Sequence, residues 1–179
     1  KVNSAWDRIE KWYSENFASA ELPGGAGAAD ITALETHMSL TLPEELKASL
    51  MRHNGVGYWK NGELLSVEGI KMDWECWTGL VDDGTFDECS GDDNEFIQKC
   101  WWNKSWIPIH ADGCGNEYCI DMNPGPKGTQ LVRLFLWTME LEHLDLIIQI
   151  LPLILKSLLI SLKVGNLVLR MDILKKLIK

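Results

Sequence analysis

A chain of 179 residues with a hydrophobic fraction of 46% can bury a sizeable core, so it needs no disulfide or metal to hold it together. Its 26 acidic and 17 basic residues give a net charge of −9, which excludes nucleic acid as a favoured ligand and favours cationic partners. Residues 1–130 hold 22 acidic and 10 basic residues, a net charge of −12, so the acidic character belongs to this part of the chain.

The first predicted helix covers residues 4–17, with Ser4 as its cap. Apolar side chains recur along it at helical spacing and predict one buried stripe, with Trp12 at its margin. The members of this stripe are Trp6, Ile9, Tyr13 and Phe17.

Two more helices follow a glycine-rich connector. Asp30 is predicted as the N-cap of a helix over residues 31–38. Pro43 suits the first position of a third helix, and the Asn54-Gly55 pair predicts its end. The chain therefore opens with three amphipathic helices.

From residue 56 the pattern alternates, which is typical of strands. VGYWKNGELLSV predicts a hairpin that turns at Asn61-Gly62. WIPIHA and NEYCIDM predict two strands joined by Asp112-Gly113-Cys114-Gly115, and QLVRLFLW and HLDLII predict two more. The segment from Pro152 predicts a covering helix and a short strand.

These elements predict an α+β fold. N-terminal helices pack on a mainly antiparallel sheet of about five to six strands, followed by a C-terminal helix, in a single domain over residues 1–179. The apolar run over residues 146–160 is about fifteen residues long and contains Gln149, Pro152 and Lys156. It is too short and too polar for a bilayer, so we expect no membrane partner.

The five cysteines are an odd number with no CxxC pair, which fits neither a disulfide framework nor a zinc knuckle. We therefore expect a reducing, cytoplasmic compartment. The cysteines are Cys76, Cys89, Cys100, Cys114 and Cys119.

Residues 106–128 contain side chains that resemble a ligand set: His110, Asp112, Cys114, Asn116 and Cys119. In a hairpin, successive side chains alternate between the faces of the sheet, and this mixture of soft and hard ligands matches no familiar zinc or calcium site. We predict that Asp112 and Asn116 make Asx-type turns beside glycines of positive φ, with no metal and no cofactor.

Catalytic patterns are equally weak. The sequence has no GxSxG elbow, its four histidines lie in unrelated contexts, and 26 acidic residues make carboxylate pairs uninformative. We predict no catalytic residue and no enzymatic activity, although an unrecognised hydrolase remains an alternative.

An ordered series of motifs extends from Trp6 to about Gly165. The motifs are W-x-x-I-E-x-W from Trp6, LPGGA, L-x-x-x-x-x-L-x-LP-x-x-L from Leu34 to Leu46, HNG from His53, W-I-P-I-x-x-D-G-x-G-N-x-x-x-I-D from Trp106 to Asp121, and P-G-P-x-G before a strand. This series resembles the SUKH superfamily, which contains bacterial immunity proteins and the fungal Smi/Knr cell-wall regulators.

The resemblance implies an α+β domain without enzymatic activity that binds and neutralises a cognate toxin protein, here a basic, nuclease-type toxin domain. The alternative is a regulatory or scaffolding protein of cell-wall synthesis of the fungal Smi/Knr type. In either case we expect a monomer or weak dimer.

Seven acidic residues between positions 82 and 95 meet no basic one, so this block cannot be core. We predict that it forms the partner-binding surface, with the adjacent aromatic pair as its anchors. The alternative is a solvated loop that only aids solubility. The predicted partner-binding residues are Asp82, Asp83, Asp87, Glu88, Asp92, Asp93, Glu95, Trp101 and Trp102.

Overall fold

The computed structural model describes residues 2–16, 21–57, 62–89, 91 and 95–128, together with the backbone of 133–137. The elements of this part are helices α1 Val2–Asn16, α2 Ala28–Met38 and α3 Glu44–Arg52, strand β1 Glu63–Leu64, helix α4 Val67–Asp82, and strands β2 Trp106–Ala111, β3 Glu117–Asp121 and β4 Arg133–Trp137. The strands form one antiparallel sheet in the order β1-β2-β3-β4.

The α+β class is therefore confirmed. Four strands lie in the described part of the chain, against the five to six predicted. The predicted HLDLII strand and the C-terminal helix fall outside the described residues.

Helix α1 packs on α3 and begins earlier than predicted. The helix already includes Val2, so the prediction of Ser4 as its cap is wrong. Val2, Trp6 and Ile9 are buried, and the Trp6 indole Nε1 donates a hydrogen bond to the Ser49 hydroxyl of α3 at 3.0 Å. This contact fixes α1 to the rest of the fold.

The start of α2 differs from the prediction by three residues. Gly27 is the N-cap, and Asp30 lies inside the first turn, where its Oδ2 accepts from the Gly27 N–H at 3.3 Å. A carboxylate at the third position of the helix still accepts a hydrogen bond from a free backbone amide. Its negative charge also interacts favourably with the positive end of the helix dipole. The prediction of Asp30 as the N-cap is therefore wrong, although its stabilising role has a clear basis.

The predicted hairpin over residues 56–67 lies only partly within the described residues. Val56 makes a single bridge to Leu64, β1 has only two residues, and Asn61 of the predicted turn lies outside the described residues. The return strand does not extend to Ser66, because the Ser66 hydroxyl accepts from the Gly69 N–H at 3.1 Å and caps α4. This helix was not predicted from the sequence.

The hairpin of β2 and β3 is confirmed. The two strands pair from Trp106 opposite Asp121 to Ala111 opposite Glu117, with an irregularity between Pro108 and His110. Side chains on one face, including Ile107 and Ile120, join an apolar core formed with the helices. Side chains on the other face, including Trp106 and Cys119, join an aromatic core with Trp102.

Candidate functional site

The turn between β2 and β3 is built around one carboxylate. Asp112 Oδ1 accepts from the backbone N–H of Cys114 at 2.7 Å and of Asn116 at 3.0 Å. Gly113 and Gly115 take φ values of 74° and 89°, as this turn requires. Partial burial raises the pKa of Asp112, but the hydrogen bonds from Asn116 and Cys114 outweigh burial and leave the pKa lowered. The turn has the predicted Asx-type geometry.

The side chains that resemble metal ligands do not converge. The register pairs His110 with Tyr118 and Cys119 with Pro108, and paired residues share a face. Because Tyr118 and Cys119 are neighbours in β3, His110 and Cys119 lie on opposite faces of the sheet. Over the described ranges, no group of three or more histidine, cysteine, aspartate or glutamate residues is placed to hold a metal ion.

The thiols of Cys119 and Cys100 lack the environment of a nucleophile. Cys119 is fully buried, and burial raises its pKa well above the ordinary value; burial also raises the pKa of Cys100. A nucleophilic cysteine needs the opposite shift, because the thiolate is the reactive form. These two residues therefore have a structural role.

An aromatic ladder lies between α4 and the sheet and continues into the segment after the helix. Consecutive ring centroids are 5.6 to 6.1 Å apart, within the range in which aromatic rings attract one another. The ladder consists, in order, of Trp101, Phe86, Trp77, Trp102 and Trp106. It joins the end of α4 to the core of the sheet.

The acidic loop, defined as residues 82–95, begins at the last residue of α4. Asp82, Asp83, Asp87, Glu88 and Glu95 are exposed, as their charge density predicts. The other two predicted acidic contacts, at positions 92 and 93, lie outside the described residues.

Two lysines contact the ends of the acidic loop. Lys104 pairs with Asp82 and Lys127 with Glu95, and all four side chains are about half exposed or more. Asp83 accepts hydrogen bonds from the side chain and the backbone of Thr85, which lower its pKa. Both ends of the loop are therefore held by ion pairs, and its described carboxylates stay exposed.

The two predicted aromatic anchors occupy different environments. Trp101 is half-buried at the outer end of the ladder, 6.0 Å from the ring of Phe86. Trp102 is only 3% exposed and packs between Trp77 and Trp106. Trp101 is therefore partly accessible to solvent, whereas Trp102 belongs to the aromatic core.

Sequence reasoning missed α4 and the buried carboxylate beneath it. Glu117 of β3 is 4% exposed, and its Oε1 accepts a hydrogen bond from the Trp77 indole. The signal for α4 was present, because Ile70, Trp74 and Trp77 recur at helical spacing behind the Ser66 cap. No sequence pattern indicated that Glu117 would be buried.

None of the helices described here is both long and apolar enough to cross a membrane.

The fold is an α+β domain in which helices pack on an antiparallel sheet. The aromatic ladder lies between α4 and this sheet, and the acidic loop follows α4. The sequence model of the SMI1 / KNR4 family (SUKH-1) matches residues 25–151, and the chain belongs to this family. The match confirms the resemblance inferred from the motifs.

Three relatives are fungal proteins. The chain is 29% identical over 148 residues to the cell wall biosynthesis/cell cycle regulator smi1 of Schizosaccharomyces pombe, which covers 71% of the chain and 29% of that protein. It is 26% identical over 170 residues to the glucan synthesis regulatory protein of Neurospora crassa, covering 71% and 32%. It is 22% identical over 169 residues to the cell wall assembly regulator SMI1 of Saccharomyces cerevisiae, covering 69% and 33%. The chain spans about a third of the length of these relatives.

Proposed function

We propose that this chain is a non-enzymatic regulatory module that acts in the control of cell-wall synthesis by binding another protein. The observation that carries the proposal is membership of the SMI1 / KNR4 family, together with relatives that are named as cell-wall or glucan-synthesis regulators. These names favour the regulatory alternative over the immunity function that the sequence analysis placed first.

The acidic loop is the proposed contact surface. Its exposed carboxylates give a partner with a basic surface a faster encounter and a fixed orientation. Asp82 pairs with Lys104, whereas Asp83 lies at the C-cap of α4, where negative charge is unfavourable with the helix dipole and the last turn holds no basic residue. A cationic partner would relieve this repulsion. The half-buried Trp101 supplies an aromatic contact beside the charges.

A toxin-immunity function is the second candidate. The exposed acidic loop is equally suited to a basic, nuclease-type toxin domain, and that chemistry favours this candidate. A cognate toxin would bind the same surface, so substitutions in the loop do not separate the two functions. We propose that in either role the chain acts in the cytoplasm as a monomer or weak dimer.

A chimera tests the regulatory function. The segment of the Schizosaccharomyces pombe relative that matches this chain is replaced by this chain, in cells that lack the native gene. We expect the chimera to restore resistance of the cell wall to glucanase digestion.

The control chimera carries D82N, D83N, D87N and E88Q, which keep the size of the side chains and remove their charge. We expect it to restore less resistance at an equal protein level. Failure of the unsubstituted chimera, when it accumulates to the level of the native protein, would count against the regulatory function.

A further inference from the structure

Glu117 occupies an unusual position for a carboxylate. It lies on the face of β3 that α4 covers, and only 4% of the residue is exposed. Its Oε1 accepts from the Trp77 indole of α4, and the Cys119 thiol lies 3.9 Å from its Oε2. A buried carboxylate is stable as an anion only when hydrogen bonds and opposite charges replace its water. One indole and one weak thiol donor do not match the hydration of a charged carboxylate.

The charged groups that surround Glu117 in the described part of the chain are acidic. Asp73 faces it from α4 and Asp112 from the β2–β3 turn, and both disfavour a second negative charge. Glu63 of β1 in turn disfavours the negative charge of Asp73. The neighbours of Glu117 in β2 and β3 bring no positive charge near it. Ala111 pairs with Glu117 on the β2 side, and Asp121 lies further along the same face of β3.

On the other side of β3, the backbone register places Trp137 of β4 beside Glu117. Arg133 lies at the register of Asp121, four residues along β3 from Glu117. At the rise of a strand this separates the two backbone positions by roughly 13 Å.

Burial raises the pKa of Glu117 to about 7, and the neighbouring Asp73 and Asp112 act in the same direction against the hydrogen bond from Trp77. The carboxyl group is therefore neutral below this pH and gains its charge on passing through it. Burial likewise raises the pKa of Asp73, with Glu63 as a second cause.

We propose that Glu117 is a proton-dependent latch between α4 and the sheet. The neutral carboxyl keeps α4 and the Trp77 indole in place on β3. Loss of its proton places a negative charge beneath α4, opposite Asp73, and loosens the helix. Because the acidic loop follows α4 and Trp77 is part of the aromatic ladder, the latch also controls how firmly the loop is supported. The latch operates within this chain, whatever protein the acidic loop binds.

Linkage fixes the direction of the effect. The folded pKa of Glu117 lies above its unfolded value of about 4.5, so the folded state binds more protons between these two values. The contribution to stability is fully present below about pH 4.5 and is lost as the pH rises to about 7. Stability of the α4–sheet contact therefore decreases towards neutral pH.

The latch is tested on the full chain in two measurements from about pH 5.5 to about pH 8.5, a range that brackets the expected midpoint. The first is the NMR shift of the Trp77 indole N–H, assigned from its loss in Trp77→Phe. The second is hydrogen exchange of the α4 amides, corrected for intrinsic exchange rates. We expect the indole shift to titrate with a midpoint near pH 7, and the protection of α4 to fall as the pH rises towards 7 and then to level off.

Glu117→Gln keeps the acceptor oxygen and removes the titration, so we expect both transitions to vanish. Glu68→Gln removes an exposed carboxylate from the same helix and should retain them. Asp73→Asn, which leaves the buried carboxyl in place, should move the midpoint to lower pH. The latch is refuted if the unsubstituted chain shows no transition in this range, if Glu117→Gln retains it, or if Asp73→Asn leaves the midpoint unchanged.

Discussion

At the scale of single residues, one carboxylate of α1 organises the junction with α3. Glu10 accepts from the Arg52 guanidinium at 2.6 and 2.8 Å and contacts the His53 ring at 2.9 Å. His53 in turn reaches the Pro23 carbonyl with its other ring nitrogen, at 2.6 Å. The hydrogen bonds from Arg52 and His53 lower the pKa of Glu10 to about 2, although burial opposes them. The network attaches α1 to the part of the chain that the family model matches, residues 25–151.

We expect Glu10→Gln to lower the free energy of unfolding by about 1 kcal/mol at neutral pH, because charge-assisted hydrogen bonds are lost at a partly exposed site. Glu15→Gln on the same helix is the control. Its carboxylate is 60% exposed and lies 3.9 Å from Lys11, so we expect a change within about 0.5 kcal/mol. Urea unfolding monitored by circular dichroism provides both values. Equal effects of the two substitutions would show that the network contributes no specific stability.

The same carboxylate predicts a dependence on acid pH. The folded pKa of Glu10 lies below its unfolded value, so its contribution is present above about pH 4.5 and is lost as the pH falls to about 2. The stability difference between the unsubstituted chain and Glu10→Gln should therefore shrink over this interval. A difference that stays constant from neutral to strongly acidic pH would contradict the lowered pKa.

At the scale of elements, the loop after β3 is clamped to the segment that follows the acidic loop. The Gly125 N–H donates to the Phe96 carbonyl at 3.0 Å, and the Lys127 N–H donates to the Glu95 carbonyl at 2.9 Å. Gln98 adds a side-chain bond to the Pro124 carbonyl at 3.0 Å. These bonds hold the segment that leads to the aromatic ladder.

Gly125→Ala should disrupt this clamp. A Cβ atom at this position would lie 2.5 Å from the Ile97 carbonyl oxygen and 2.8 Å from that of Glu95, and both contacts are with backbone that cannot rotate away. We expect a loss of about 1–3 kcal/mol in the free energy of unfolding, measured in urea. Gly24→Ala meets no atom within 4 Å and should leave stability nearly unchanged. A stable Gly125→Ala variant would mean that the two segments are not packed as described.

The elements also show what the sequence could and could not reveal. The β2–β3 hairpin was predictable because its alternation and its Asp112 turn are local signals. Helix α4 was missed because its tryptophans were read as an aromatic segment and its Ser66 cap as the end of a strand. Exposure of the acidic loop follows from charge alone, whereas the different burial of Trp101 and Trp102 depends on contacts with Phe86 and Trp77 that no local pattern contains.

At the scale of the whole molecule, the exposed carboxylates of the acidic loop are separated in space from the apolar cores. Two cores lie on opposite faces of the sheet, and the aromatic one supports the exposed acidic loop. This arrangement lets the loop keep its repelling charges without a cost to the core. It leads us to expect a binding surface whose affinity depends on ionic strength.

The association rate between this chain and the basic protein that co-purifies with the functional chimera tests the central claim most directly. We expect the rate to fall roughly tenfold or more between about 50 and about 500 mM salt, because screening removes long-range attraction. The D82N, D83N, D87N, E88Q variant should associate more slowly at low salt and respond less to added salt. A rate that is the same at both salt concentrations, with no effect of the four substitutions, would contradict a function based on the acidic loop.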